Sequence, residues 1–65
     1  MATGQVASFD FAAGLGSIRG TDGVEYLFHC LEIADGTRNI ALGTRVNFIP
    51  VMRFGRLEAS QIEPN

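Results

Sequence analysis

The segment GQVASFDFAAGLGSI at residues 4–18, followed by DGVEYLFHC at residues 22–30, decides the fold class. Short apolar runs alternate there with glycine-containing turns, which is the pattern of strands joined by hairpins. The predicted strands are residues 5–11, 15–19 and 25–30, with a turn at 20–23. Because the connections are short, these strands form an antiparallel meander.

The second half of the chain adds two further predicted strands. Residues 33–42 have no sustained period, so we predict a long loop with a short helical turn. Strand four is predicted at 45–52, with Pro50 at a sheet edge or a bulge. Phe54 and Gly55 turn the chain, strand five covers 56–62, and 63–65 form a tail. Five short strands with one long connection favour a small antiparallel Greek-key barrel, since a sandwich needs more strands.

Length and composition limit the class of protein. The chain has 65 residues, so we predict one domain spanning 1–65 with a small core and no deep active-site cavity. Its hydrophobic fraction of 46% and its eight glycines suit a compact domain with many turns. No segment approaches the about 20 apolar residues of a membrane span, and residues 1–4 lack the features of a signal peptide. We therefore expect a soluble cytoplasmic protein that does not associate with membranes.

Few side chains are suited to catalysis or metal binding. Cys30 and His29 are the only cysteine and histidine, so an internal disulfide and a four-ligand zinc site are excluded. Neighbouring residues on a strand point to opposite faces, which makes these two a poor proton-exchange pair. The acidic residues are dispersed, and Gly14-Leu15-Gly16 lacks the rest of a nucleotide-binding motif. We expect no enzyme, no metal and no cofactor.

A longer ordered pattern carries a resemblance to a known family. The family's glycine, its Asp-Gly turn followed by an aromatic residue and histidine, and its late Gly-Thr-x-Val-x-Phe strand all have counterparts here. The chain resembles the cold-shock domain family without gaps from Thr3 to Ile62, including GTRVNF at 43–48 and Ala59. The resemblance implies an all-β fold, a five-stranded Greek-key OB barrel that holds single-stranded nucleic acid.

The same resemblance shows that most of the family's working side chains are replaced. Cold-shock domains stack bases on outward rings of the first three strands, and here those positions hold Ser8, Leu15, Ser17, Leu27, Cys30 and, in a loop, Thr37. Only Phe9 and His29 keep the expected type. Ala7, Ala13 and Asp10 replace basic or amide residues of the family. The implied nucleic-acid-binding residues are Phe9, His29, Leu15, Leu27, Arg38 and Arg56, with Arg53 as a further candidate phosphate contact.

Binding by such a face is expected to be weak. Stacking contributes about 1–3 kcal/mol per base, so two lost platforms cost about 2–6 kcal/mol. A net charge of −2, with five arginines and no lysine, provides no basic stripe to offset that loss. One hypothesis is therefore a weak RNA or single-stranded DNA binder acting as a regulator or chaperone. The alternative is a protein-contact or self-association module that uses an apolar patch of Phe9, Leu15, Leu27 and Cys30.

Strand alternation predicts that aromatic bulk has moved into the barrel. Leu27 and His29 face outward, so Tyr26 and Phe28 should point inward. The predicted core consists of these two rings with Val6, Ile18, Val46, Phe48 and Leu57. Two alternatives stay open: the Tyr26 hydroxyl could reach the barrel mouth as a contact, and Phe11 or Phe54, expected at barrel ends or turns, could act as a displaced stacking ring.

Overall fold

Five strands close into a barrel in the computed structural model, which describes residues 1–36 and 39–65. The elements are β1 (Ala2–Asp10), β2 (Leu15–Gly20), β3 (Glu25–His29), a 3₁₀ helix (Cys30–Glu32), β4 (Arg45–Arg53) and β5 (Arg56–Pro64). Around the barrel the order is β1-β2-β3-β5-β4, and β4 pairs back onto β1. The predicted all-β five-stranded barrel is confirmed. Among the described strands the pairing of β3 with β5 is parallel, and the others are antiparallel.

Both ends of the chain are more regular than predicted. β1 begins at Ala2 because the first residues of that strand pair with β4, from Ala2 opposite Phe48 to Gln5 opposite Arg45. The predicted tail is wrong for Glu63 and Pro64, which continue β5 opposite β4. These pairings close the barrel, and a closed barrel leaves no long free sheet edge.

The connection after β3 differs from the prediction in the place of its helical turn. Cys30 starts the 3₁₀ helix instead of ending β3, and the described part of 33–42 has no further helix. Ile33 then forms a parallel bridge with Ile62 of β5, and both side chains are buried. Residues 37 and 38, which include the candidate Arg38, lie outside the described ranges.

The core confirms most of the predicted alternation. Tyr26 and Phe28 are buried, and the Tyr26 ring meets Phe48 with centroids 4.9 Å apart. Buried residues that fill the barrel are Val6, Ile18, Ile33, Ile40, Val46, Phe48, Ala59 and Ile62. The prediction is wrong for Leu57, which is 37% exposed. Leu57 lies beyond the Leu27–Glu58 pairing of β3 with β5, where its partner in the sheet is Met52 of β4.

The β4–β5 hairpin extends past the end of β1. The pairing of β4 with β1 stops at Phe48, so Pro50 lies where β4 pairs only with β5, as the edge prediction requires. The bulge that was the other option lies nearby, between Asn47 and Ile49. Phe54 and Gly55 form the predicted turn at the hairpin tip.

Candidate functional site

One shallow groove on the outer face of β2 and β3 contains most of the predicted binding residues. Leu15 lies opposite His29, and Leu27 follows on the same face of β3. Leu15 is 54% exposed and Leu27 is 37% exposed. Together with Arg56 and Glu58 of β5, these residues line a groove of about 370 Å³. Four of the predicted side chains, Leu15, Leu27, His29 and Arg56, therefore lie in one place.

The ring of His29 is held in this groove by a local hydrogen bond. Its Nδ1 accepts a hydrogen bond from the Leu31 backbone N–H over 3.2 Å and so caps the 3₁₀ helix. In a neutral ring this leaves the proton on Nε2. The Cys30 thiol also lies 3.8 Å from Nδ1. His29 lies on the outer groove and Cys30 is buried, as the opposite-face prediction requires, yet the two atoms come this close because Cys30 starts the helix.

Cys30 is also absent from the surface where the apolar patch was expected. Its side chain is buried in the core cluster. The outward apolar residues of the patch are thus Leu15 and Leu27. Strand alternation itself places Cys30 inward, because it follows the outward-facing His29 and shares the inner side with Tyr26 and Phe28.

Phe9 occupies a different place from the groove residues. Its ring is half-buried and packs against the core, stacked on Phe28 with centroids 5.9 Å apart and planes within 5°. Both residues flank Gly16 in the sheet register, and all three lie on the inner side of their strands. Phe9 therefore supports the core, and its contact with nucleic acid stays a prediction.

Ser8 and Ser17, which stand where the cold-shock pattern has aromatic rings, form a hydrogen bond with each other. Ser17 lies opposite the outward-facing Leu27 but is itself buried, with its hydroxyl 2.7 Å from that of Ser8. A register irregularity between Val6 and Ser8 leaves both Ala7 and Ser8 exposed. Ala7, Ser8 and Ser17 therefore offer no ring on which a base could stack.

A second groove was missed by sequence reasoning. Gln5 lies opposite Arg19 on one side and opposite Arg45 on the other, so two guanidinium groups flank it on the outer face. With Thr3, Gly4, Gly20, Thr21 and Asn65 they line a groove of about 410 Å³. Among the described residues neither arginine forms an ion pair, although Glu25 is the sheet neighbour of Arg19. Strand alternation places Gln5, Arg19 and Arg45 outward, which was a signal for this groove. The strand register that brings them together is not visible in the sequence.

Arg53 is held by acidic residues beside the first groove. Its Nη1 lies 3.4 Å from Glu58 Oε1 and 3.8 Å from Glu32 Oε2. The Ser60 hydroxyl donates a hydrogen bond to Glu32 Oε1 over 2.8 Å. Arg53 therefore offsets the carboxylate of Glu58, which lines the groove, while Arg56 forms no such ion pair among the described residues.

Asp10 and Asp22 both have structural roles within the fold. Asp10 Oδ1 accepts hydrogen bonds from the Ala12 and Ala13 backbone N–H groups and so shapes the turn after β1. The Tyr26 hydroxyl donates a hydrogen bond to Asp22 Oδ2 over 2.8 Å, so it is already engaged within the fold. The Val24 N–H, and then the Tyr26 hydroxyl, lower the pKa of Asp22. The same carboxylate, together with burial, raises the pKa of Tyr26.

Comparison with known proteins supports the resemblance through structure. Neither a family model nor a curated protein matches the sequence. Among 31 matching chains of solved structures is Drosophila Unr CSD456, with a TM-score of 0.83 and 28% sequence identity. The match covers 98% of this chain and 26% of that one, so the protein spans about a quarter of its structural neighbour. The predicted resemblance to a cold-shock domain is confirmed, and it supports nucleic-acid binding as the class of function.

Neither a metal-binding cluster nor a membrane-spanning helix occurs in the described ranges. Residues 1–36 and 39–65 contain no group of three or more His, Cys, Asp or Glu side chains arranged to hold a metal ion. No helix in the same ranges is long and apolar enough to cross a bilayer.

Proposed function

From the similarity to a cold-shock domain, we propose that this chain binds single-stranded RNA or DNA weakly. The observation that carries the proposal is the convergence of Leu15, Leu27, His29 and Arg56 on one groove of about 370 Å³. An imidazole ring and two aliphatic side chains can contact base faces, and the guanidinium of Arg56 can contact a phosphate. A binder of this kind suits a regulator or chaperone that must release its strand readily.

The weakness follows from what the groove lacks. Only His29 among the groove-lining side chains exposes a ring, since Phe28 is buried and stacked on Phe9. Each absent base stack removes about 1–3 kcal/mol, or about 5- to 150-fold in affinity. Arg19 and Arg45 in the second groove supply further phosphate contacts, and these depend on salt.

The experiment is a fluorescence anisotropy titration of a labelled pyrimidine-rich strand at low salt. His29→Asn removes the ring while keeping a side chain that can cap the 3₁₀ helix, so it separates binding from stability. We expect a rise in Kd of about fivefold or more with an unchanged melting temperature. Leu42→Ala, at an exposed position that lines neither groove, serves as the control and should leave Kd unchanged. A wild type that does not bind, or a His29→Asn variant with unchanged Kd, would contradict the proposal.

The exposed leucines favour a second candidate function, contact with another protein or a second copy of the chain. Leu15 and Leu27 present apolar surface with few charges around it. Sedimentation equilibrium of the wild type and of Leu15→Glu tests this directly. A wild-type dimer that Leu15→Glu dissociates would support the second candidate, whereas a monomer at all concentrations would count against self-association.

A further inference from the structure

The tip of the β4–β5 hairpin carries a large aromatic side chain with no packing partner. The side chain of Phe54 is 100% exposed. Its strand neighbours Met52 and Leu57 face each other across the hairpin and are themselves exposed. The ring therefore contributes nothing to the barrel core, because it is as exposed to water in the folded chain as in an unfolded one.

The backbone at Phe54 adds a second unfavourable feature. Phe54 and Gly55 both have positive φ values, 52° and 77°, as the central residues of a type I′ hairpin turn require. Asn-Gly is the preferred pair for this turn, and a bulky residue at the first position is strained. Local strain of this kind, where the fold gains nothing from it, points to a functional constraint.

The hairpin tip that carries Phe54 lies next to the groove on β2 and β3. Arg53 and Arg56 form the pair that closes the turn, and Arg56 also lines the groove with Leu15 and Leu27. Arg53 is tied to Glu32 and Glu58, which holds the base of the hairpin beside that groove. The exposed ring is thus two residues from Arg56, which lines the groove and forms no ion pair among the described residues, a combination suited to a base and its phosphate.

We propose that Phe54 stacks on an unpaired nucleobase of the strand that lies in the Leu15, Leu27 and His29 groove. The hairpin tip replaces part of the stacking surface that is missing from β1–β3. This inference rests on the proposed nucleic-acid binding and adds a specific contact to it. The ligand it requires is a single strand, because a paired base offers no free face to the ring.

The central test is Phe54→Asn, which affects folding and binding in opposite directions. Asparagine relieves the positive-φ strain, so the melting temperature should rise by about 4–8 °C. Loss of the ring should weaken binding of a labelled pyrimidine-rich strand by about 5- to 150-fold. Phe11→Asn removes the other exposed phenylalanine that the sequence left open as a stacking ring; because Phe11 lines neither groove, it should leave Kd unchanged, and a loss equal to that of Phe54→Asn would contradict the inference.

A second measurement reports stacking itself. The chain has no tryptophan, so Phe54→Trp introduces a single fluorophore at the tip. Its emission should be quenched as oligonucleotide is added, with the same Kd as the anisotropy titration. If the wild type binds but Phe54→Asn binds equally well, this inference is overturned and the proposed function stands. If the wild type does not bind, both are overturned.

Discussion

Gly16→Ala is the substitution whose cost the structure defines most closely. A Cβ at Gly16 would lie 2.6 Å from Phe28 Cζ and 2.6 Å from the Ser8 carbonyl oxygen. Both distances are shorter than real Cβ contacts, so the Phe28 ring and the β1 backbone must move. The Phe28 ring is buried and stacked on Phe9, which leaves it little space. Overpacking of this kind costs about 1–3 kcal/mol.

That cost is large for a domain of 65 residues. Typical stability per residue gives a total of about 3–10 kcal/mol, and each kcal/mol lowers the melting temperature by about 4–8 °C. Urea unfolding followed by circular dichroism would measure the change. A fall of less than about 0.5 kcal/mol in the free energy of unfolding of Gly16→Ala would show that the inner side of β2 is not tightly packed at this point.

A double-mutant cycle with Phe28→Leu identifies the cause. Leucine lacks the ring atoms that meet the added methyl group, so the penalty for Gly16→Ala should shrink by about 1 kcal/mol in that background. The contact with the Ser8 carbonyl oxygen remains, and relief is therefore partial. Equal penalties in the two backgrounds, within about 0.5 kcal/mol, would refute the reasoning that the Phe28 ring requires glycine at position 16.

Three other predictions follow from separate features. The lowered pKa of Asp22 stabilises the fold above the ordinary value of 3.8, and this stabilisation is lost as the pH falls through the folded-state pKa. The raised pKa of Tyr26 stabilises the fold below pH 10.0, and this stabilisation is lost as the pH rises through the folded-state pKa. Asp22→Asn removes the cause of both shifts, so it should flatten the acidic and the alkaline limbs of a plot of unfolding free energy against pH. Gln61 has a φ of 49° in β5, and Gln61→Gly should stabilise the fold by about 0.5–1 kcal/mol in urea unfolding; a loss would contradict this. Arg19→Gln and Arg45→Gln should each reduce the slope of log Kd against log salt by about 0.7, whereas unchanged slopes would exclude the second groove as a phosphate site.

The fold could be predicted because local signals and spacing agree along the chain. Alternation correctly separates Tyr26 and Phe28 from Leu27 and His29, and turn chemistry correctly places the Phe54–Gly55 hairpin. The errors arise where the tertiary pairing of strands changes the exposure that strand alternation predicts. Leu57 alternates as a core residue but lies past the end of the barrel.

The candidate site was predictable only in part. Leu15, Leu27, His29 and Arg56 converge as expected, because strand alternation and the family resemblance both place them outward. The inward packing of Phe9 depends on the register irregularity in β1, which no local signal marks. The strain at Phe54 likewise depends on the two-residue length of the turn. Both features arise only when the strands pair in the folded barrel.

Backbone amide NMR during titration with a short pyrimidine-rich strand tests the central claim most directly. At low salt the account predicts shifts clustered at residues 15–17, 27–29 and 54–58, with smaller shifts around Gln5, Arg19 and Arg45. At physiological salt the same amides should shift less, because the phosphate contacts are screened. An unchanged spectrum at millimolar oligonucleotide, or shifts confined to residues away from both grooves, would contradict the assignment of this barrel to nucleic-acid binding.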